Sequence, residues 1–282
     1  MRFEVDQDKC NLCGGCIATC PTGMVRDKRG VIKISWVACI DCGHCMAVCP
    51  TGAISVREPD DAEFVPAPEK FASPDEFAGL LRRRRTVRAF LPDALPRETL
   101  EELLEAARHV PTAANCQCQE FLVLTDEGAR AELRDAVVDY YRAYAEALAA
   151  GENPAGIESG DGAMHDHILA AVPAFVKGVD AEADRLFFDA PAVIVVHARR
   201  DEVLPEAACG FATLAISLMA EAMGLGACIT AYASLALQAL PELRATVGVP
   251  DDNQVHYAIA VGHPAEEFHL SPHRRPLRIE WQ

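Results

Sequence analysis

The spacing of apolar positions predicts alternating helices and buried strands over most of the chain after residue 75. Residues 100–107 carry apolar side chains at helical spacing, and the predicted helix ends before Pro111. Residues 127–149, rich in Ala, Leu, Arg and Glu, predict a second and longer helix. Three short apolar runs predict buried strands: 121–124, 191–196 and 256–261. The larger part of the chain is therefore predicted to contain both helices and buried strands, packed in layers.

One helical stretch, residues 207–223, is apolar almost all round. Its few polar groups, Thr213, Ser217 and Glu221, fall four residues apart on one stripe. A bilayer requires about 20 apolar residues, whereas this run has about 17 and includes an acidic side chain. We therefore predict a central core helix rather than a membrane span.

The first 56 residues contain a repeated cysteine pattern, Cys-x2-Cys-x2-Cys-x3-Cys-Pro-Thr-Gly, which starts at Cys10 and again at Cys39. Sets of three close thiolates with a fourth are what a four-iron cluster needs, and in this pattern the fourth Cys serves the other half's cluster. Structural zinc prefers two Cys pairs with a longer spacer, and disulfides require a secreted context. The pattern resembles a bacterial two-cluster ferredoxin. The predicted ligands are Cys10, Cys13, Cys16 and Cys49 for one [4Fe–4S] cluster, and Cys39, Cys42, Cys45 and Cys20 for the second.

Composition divides the chain further. Its 282 residues carry a formal net charge of −16, which argues against nucleic acid as a partner. Residues 57–74 are rich in Pro, Asp, Glu and Ala, as in a linker. The start of the chain lacks an apolar signal core, so we predict a cytoplasmic protein. The predicted domains are a ferredoxin-like domain at 1–56, a linker at 57–74 and a larger domain at 75–282.

A cluster of arginines opens the larger domain. Ser73 and Glu76 predict a capping box at a helix start, and the helix runs into four consecutive arginines, 82–85, followed by Thr86. A solvated basic face is one interpretation. A cationic patch with a hydroxyl in an otherwise acidic domain instead favours a bound anion, with phosphate the natural choice.

Several segments together resemble the nitroreductase-like flavoproteins. Residues 84–90 (Arg-Arg-Thr-Val-Arg-Ala-Phe) are similar to the Arg-Arg-Ser-Ile-Arg-x-Phe segment that binds the FMN phosphate in that family. Residues 111–117 resemble the family's Pro-Ser-x-x-Asn-x-Gln loop, which reaches the flavin of the partner subunit. Residues 224–231 resemble its Gly-Leu-Gly loop, and 262–264 and 274–277 resemble its C-terminal Gly-x-Pro and Arg-x-Pro-Leu segments. The segments occur in the family's order from about residue 75 to the end.

This resemblance implies an α+β fold with a three-layer α/β/α flavin domain, a homodimer with two FMN at the interface, and hydride delivery from FMN N5, with no side chain assigned as catalytic. Two departures matter: Thr86 replaces Ser but keeps the hydroxyl, and Cys118-Gln119 stands where the family often has Pro-Trp. The implied cofactor-binding residues are Arg84, Arg85, Thr86, Arg88, Pro111, Thr112, Ala113, Asn115, Gln117, Ile229, Thr230, Ala231, Arg274 and Arg275.

The combination predicts an iron–sulfur flavoprotein oxidoreductase that passes electrons from two [4Fe–4S] clusters to FMN and then to a small acceptor. By analogy the acceptor is a nitroaromatic, a quinone or an activated alkene, and the donor is ferredoxin or NAD(P)H. Two alternatives stay open. One is an electron carrier that uses FMN as a depot, and the other is a binding or maturation module without turnover.

Four cysteines lie outside the repeats. Cys209 and Cys228 sit in apolar runs and are predicted to be buried packing thiols. Cys116 and Cys118 lie in the predicted flavin loop, either as plain loop thiols or as a redox pair. His165 and His167 are interpreted first as surface residues, with metal binding or a substrate-pocket acid as alternatives.

Overall fold

The computed structural model describes residues 3–56, 66–150, 170–179 and 184–282. Within these ranges the chain forms two compact units. The first comprises residues 1–71 together with 112–116, and the second comprises 72–111 and 117–282. Much of the predicted linker lies outside the described residues, and so do His165, His167 and residues 151–162, whose polar composition predicts a flexible loop.

In the described residues, the first unit consists of two small antiparallel ladders, two short α-helices and the 3₁₀ helix Ala113–Asn115. Strand β1 pairs with β4, and β2 pairs with β3. The elements are β1 (Phe3–Val5), helix Gly15–Thr19, β2 (Val25–Asp27), β3 (Ile32–Ile34), helix His44–Ala47 and β4 (Ile54–Val56). Within the described residues its hydrophobic cluster is small: Phe3, Val25, Ile32, Cys45 and Ile54 form it, and five further repeat cysteines pack against it, namely Cys10, Cys16, Cys20, Cys39 and Cys49. A core this small needs an additional staple, which metal-bound thiolates can supply.

The second unit is built on a four-stranded antiparallel sheet in the order β5-β6-β8-β7. Its strands are β5 (Glu120–Leu124), β6 (Ala192–Arg199), β7 (Gly226–Ile229) and β8 (Asn253–Gly262). The three strands predicted from apolar runs are confirmed as β5, β6 and β8. The family resemblance predicts a loop at residues 224–231, whereas residues 226–229 form strand β7, which pairs with β8.

Helices cover both faces of this sheet. Val193 and Val195 of β6 belong to one buried cluster with residues of the helices Glu127–Ala149 and Ala231–Ala239. The alternate residue Val196 points to the opposite face and pairs with Tyr257 of β8. On that face Gly210 of the helix Pro205–Ala222 lies against the Tyr257 ring. The expected α+β fold with a three-layer flavin-type domain is therefore confirmed.

The remaining helices follow the sequence signals closely. Helix Pro74–Arg83 begins with the predicted capping box: the Ser73 hydroxyl accepts the Glu76 N–H, and the Glu76 carboxylate accepts the Ser73 N–H at 2.8 Å. The predicted helix at 127–149 is confirmed with the same bounds. Further helices span Arg97–Arg108, Val172–Val179 and Pro241–Thr246.

The apolar helix Pro205–Ala222 packs Ala208, Ala212 and Ile216 into the core, as predicted. Its opposite side is less covered: Phe211 and Leu214 keep 48% and 47% of their surface exposed. Among the described residues, no helix combines the length and apolarity needed to cross a membrane.

Candidate cluster and flavin sites

Two cavities in the first unit are each lined by four repeat cysteines. One is lined by Cys10, Cys13, Cys16 and Cys49. The other is lined by Cys20, Cys39, Cys42 and Cys45. The fourth cysteine of each repeat thus lies with the first three of the other repeat. Four sulfurs around one cavity form the donor set of a [4Fe–4S] cluster, so the residues present fit that cofactor.

The Pro-Thr-Gly tails give the fourth cysteines matching surroundings. Cys20 Sγ accepts the Met24 N–H at 3.2 Å and lies 3.7 Å from the Thr22 hydroxyl. Cys49 Sγ accepts the Ala53 N–H at 3.3 Å and lies 3.7 Å from the Thr51 hydroxyl. Burial opposes the charged form, but these hydrogen bonds outweigh it and lower the pKa of both thiols. The tails therefore favour the thiolates that iron requires.

Two cysteines inside the short helices have thiol pKa values that are raised rather than lowered. Burial raises the pKa of the Cys45 thiol to about 11 and also raises the pKa of Cys16. Outside these helices, burial also raises the pKa of Cys39, and the Asp41 carboxylate adds to the shift while the Asp41 N–H opposes it. Thiolates at such positions require a compensating positive charge, which bound iron would provide.

The predicted flavin loop is divided between the units, since Thr112–Cys116 belongs to the first and Pro111 and Gln117 to the second. Its backbone is unusual: Ala114, Asn115 and Gln117 have φ values of 49°, 55° and 47°. These are left-handed conformations that non-glycine residues rarely adopt.

The Asn115 side chain closes onto the second cysteine repeat. Its Nδ2 donates to the carbonyl oxygens of Ile40 and Asp41, both at 3.2 Å. These two residues form the turn between Cys39 and Cys42. The amide therefore contacts the backbone of a cluster-binding loop within the first unit.

In the second unit, the arginine–threonine segment lies beside the Gly-Leu-Gly segment. The Val87 N–H donates to the Ala227 carbonyl at 3.1 Å, and Thr86 forms a parallel bridge with Ala227. A Cβ on Gly226 would lie 2.6 Å from Val87 Cγ2, so only glycine allows this approach. Two segments that are 140 residues apart in order of sequence, from Thr86 to Gly226, thus share one edge of the sheet.

The C-terminal Gly-x-Pro segment, residues 262–264, lies beside residues 89–91, at the end of the arginine–threonine segment. The Leu91 N–H donates to the His263 carbonyl at 2.8 Å, and the Ala265 N–H donates to Ala89 at 2.9 Å. A Cβ on Gly262 would lie 2.5 Å from Pro191 Cδ, which explains the glycine before His263. Three of the segments that resembled the flavin family are therefore brought together by the fold.

The arginines in this region have different surroundings. Arg85 donates to the backbone carbonyls of Arg82, Arg84 and Leu270. It thereby connects the arginine–threonine segment to residues 265–282, the C-terminal arm. The Ser271 hydroxyl donates to the Arg82 carbonyl at 3.3 Å. Arg84 is half-buried, whereas Arg88, Arg274 and Arg275 are exposed. The Arg84 and Arg88 guanidinium groups suit an anionic phosphate, so this edge fits FMN, whereas Arg274 and Arg275 lie in the exposed C-terminal residues that follow the Ser271 contact.

The predicted residues Ile229, Thr230 and Ala231 span the end of β7 and the start of the helix Ala231–Ala239. Thr230 is buried, and its N–H and hydroxyl both donate to the Ala258 carbonyl, at 2.8 and 3.3 Å. Ile229 and Ala231 beside it are exposed. Thr230 therefore anchors the backbone, while its two neighbours remain accessible.

The spare cysteines of the second unit are buried. Cys209 and Cys228 keep at most 2% of their surface exposed, as expected of packing thiols. Burial raises the pKa of Cys228 to about 11, while the nearby Arg88 charge lowers it slightly. Cys118 is also buried. These three thiols therefore lie in the interior of the second unit.

Comparison with known proteins agrees with this geometry. The model of the nitroreductase family matches residues 81–263, and that of a 4Fe-4S dicluster domain matches residues 9–54. The chain belongs to the nitroreductase family. In this enzyme, an additional 4Fe–4S ferredoxin domain precedes the nitroreductase domain.

Two similar proteins have named activities. The chain is 30% identical to a nitrobenzene nitroreductase of Ectopseudomonas oleovorans over 196 residues, which cover 65% of this chain and 84% of that protein. It is 30% identical to a chloronitrobenzene nitroreductase of Comamonas testosteroni over 201 residues, with the same coverage.

Among solved structures, a nitroreductase with bound FMN from Bacteroides fragilis superimposes with a TM-score of 0.55 at 20% identity. The match covers 73% of this chain and 99% of that one, and it supports the nitroreductase fold.

Sequence reasoning missed several residues on which the sites depend. The close approach of Val87 to Gly226 and the anchor of Arg85 on Leu270 depend on tertiary packing. The roles of Thr22 and Thr51 could have been recognised from the sequence, because a Pro-Thr-Gly tail follows the fourth cysteine of each repeat.

Proposed function

We propose that this nitroreductase-family enzyme takes electrons through two [4Fe–4S] clusters, passes them to FMN and reduces a small acceptor by two electrons. The observation that carries the proposal is the pair of four-cysteine cavities in the same chain as the converging arginine–threonine and glycine segments. A ferredoxin unit gives a one-electron donor access to a flavin enzyme, and this explains why the fusion is useful.

The cluster ligands in this proposal are the two crossed sets of four cysteines. FMN is held with its phosphate near Arg84, Arg88, Arg274 and Arg275, and with the Gly224–Ala231 segment along its ring. Arg85 fixes the position of the C-terminal arm through Leu270. When bound, FMN supplies a two-electron reductant for the acceptor. The protein residues bind and orient it, and the fold of β7 keeps its site open at Ile229 and Ala231.

A homodimer is part of the proposal. Phe211 and Leu214 are about half-exposed on one helix, and the C-terminal arm exposes Leu270, Leu277 and Trp281 at 84%, 85% and 89%. Apolar side chains exposed to this extent favour burial against another subunit. A second copy of the chain is the natural occupant, because the resemblance implies a site completed across a subunit interface.

The proposed acceptor is a nitroaromatic, in line with the names of the two curated relatives, with quinones and activated alkenes as further candidates. Two electrons and two protons convert a nitro group into a nitroso group and water. The donor is reduced ferredoxin acting through the clusters, or NAD(P)H acting directly on FMN. A reducing, cytoplasmic location completes the proposal.

The test starts with iron and flavin analysis of anaerobically purified protein, for which we expect about eight iron atoms and one FMN per chain. The dithionite-reduced protein is then mixed with a nitroarene or a quinone. Rapid reoxidation supports the enzyme. Reoxidation only by redox proteins would instead indicate a carrier, and absence of flavin would indicate a module without turnover. Four irons, or stoichiometric zinc, would contradict the two-cluster assignment.

A further inference from the structure

The two cysteine repeats contain equivalent turns that are stabilised in different ways. In the first, Asn11 lies inside the turn, and its own Oδ1 accepts the Cys13 N–H at 3.2 Å. In the second, Ile40 occupies the position of Asn11 and cannot form this bond. The amide of Asn115 instead binds the second turn from a segment 74 to 75 residues away in sequence.

This second turn contains a strained residue. Asp41 has φ 51°, as its counterpart Leu12 has φ 59° in the first turn. A left-handed non-glycine residue persists when its surroundings hold it in place. Asn115 binds the carbonyl of Asp41 and the carbonyl before it, and so restrains the backbone on both sides of that strained residue.

We propose that Asn115 is a positioning residue for the cluster of Cys39, Cys42, Cys45 and Cys20, and that it differentiates this cluster from the other one. The inference rests on the proposed function, because it assumes that both cavities hold clusters. The segment Thr112–Cys116 is continuous with Pro111 and Gln117 of the nitroreductase unit. Asn115 therefore restrains the second turn from a segment that is continuous in sequence with that unit, whereas the first turn is closed by its own Asn11.

The physical basis is the surroundings of the cluster. Hydrogen bonds near the sulfurs and solvent access set the potential of an iron–sulfur cluster. Groups that orient metal ligands without touching the metal also tune it. An amide that fixes the turn between Cys39 and Cys42 orients both thiolates and limits opening of the turn. No equivalent long-range restraint on the first turn is needed, since Asn11 closes it locally.

The test uses Asn115→Gly, because glycine accepts φ 55° without strain while it removes the amide. Ala114→Gly is the matched control: Ala114 has φ 49°, so the change relieves similar strain but keeps Asn115. Asn115→Asp is a second variant, which keeps the shape of the side chain but replaces the N–H donor with an acceptor facing two carbonyls.

The readout is an EPR-monitored redox titration of the anaerobic full-length protein. Cys49→Ser and Cys20→Ser identify the signals of the first and second cluster. We expect Asn115→Gly and Asn115→Asp to shift the midpoint potential of the second cluster only, with Ala114→Gly like wild type. Deuterium exchange at residues 39–42 should be faster by about tenfold, the change that loss of a shared amide hydrogen bond corresponds to.

Unchanged potentials in both Asn115 variants, or equal shifts of both clusters, would overturn the inference. Two clusters with wild-type behaviour in Asn115→Gly would reject the role of Asn115 and leave the proposed function intact. Iron analysis that finds fewer than two clusters in the wild type would reject the proposed function itself. The two failures are therefore distinguishable.

Discussion

The two cysteine repeats of the first unit share their ligand pattern, their short helices and their Pro-Thr-Gly tails, yet they differ in what holds their turns. The first turn is closed by its own Asn11, and Leu12 beside it is 48% exposed. The second is held by Asn115, a residue from a distant segment. A repeated ligand pattern therefore gives two sites the same set of sulfur donors, whereas neighbours outside the repeat give each site different surroundings.

The largest effect is expected from the crossed ligands. Cys20→Ser should remove the cluster of Cys39, Cys42 and Cys45, and Cys49→Ser should remove that of Cys10, Cys13 and Cys16. Each variant loses about half of the roughly eight iron atoms, since each ligand serves the other repeat. Iron analysis with EPR measures this. Loss of the cluster within the same repeat as the mutated cysteine would contradict the crossed assignment.

The next largest effect concerns FMN and should leave both repeats unchanged. Arg84→Ala is expected to weaken FMN binding by about tenfold to a hundredfold, because charge-assisted hydrogen bonds contribute about 1.5–3 kcal/mol. Flavin fluorescence released on dilution measures the affinity. Arg83→Ala is the matched control, since Arg83 is exposed and pairs with Glu221, an interaction of little energetic value. Equal FMN affinity in wild type and Arg84→Ala would contradict the assignment of Arg84 to the phosphate and make Arg275 the next candidate.

A packing change tests whether the second unit can be disturbed separately. Gly226→Ala places a Cβ 2.6 Å from Val87 Cγ2, and overpacking of this kind costs about 1–3 kcal/mol. Thermal unfolding should show a lower midpoint for the second unit and unaltered cluster signals. Gly79→Ala is the control, because its Cβ would meet open space in a helix. A thermal midpoint restored towards the wild-type value in the Gly226→Ala, Val87→Ala double variant would assign the loss of stability to the contact with Val87.

The smallest effect sharpens the comparison of the repeats. Thr51→Val removes a hydroxyl 3.7 Å from Cys49 Sγ, and Thr22→Val does the same at Cys20. We expect the potential to fall by about 20–60 mV, the equivalent of one weak hydrogen bond for a one-electron couple. Thr51→Val should shift the first cluster and Thr22→Val the second. Different magnitudes in the two variants would indicate that the tails are not equivalent.

The sequence was sufficient for features that depend on local spacing. The cysteine repeats predicted two sets of four sulfurs, and the structure places those sets around two cavities. The capping box at Ser73 and the helix Glu127–Ala149 were also predicted. In each case the signal lies within a few residues or repeats along one element, so it can be recognised without knowledge of the fold.

Features that depend on contacts between distant segments could not be predicted from the sequence. Strand β7 has only four residues and is defined by pairing with β8. The bond from Asn115 to Ile40 joins residues that are 75 positions apart. The family resemblance assigned Asn115 to the flavin site, which remains a prediction for its other contacts. The turn that its amide binds became apparent only from the packing of the first unit.

The central claim is that electrons reach FMN through the clusters, and a paired-donor assay tests it most directly. Reduction of one nitroarene is driven either by reduced ferredoxin or by a donor that reduces FMN directly, in wild type and in Cys20→Ser. The account predicts that the variant loses ferredoxin-driven turnover, keeps its flavin and keeps turnover with the direct donor. Equal loss with both donors would make the cluster unit structural, and unchanged ferredoxin-driven turnover would contradict the claim.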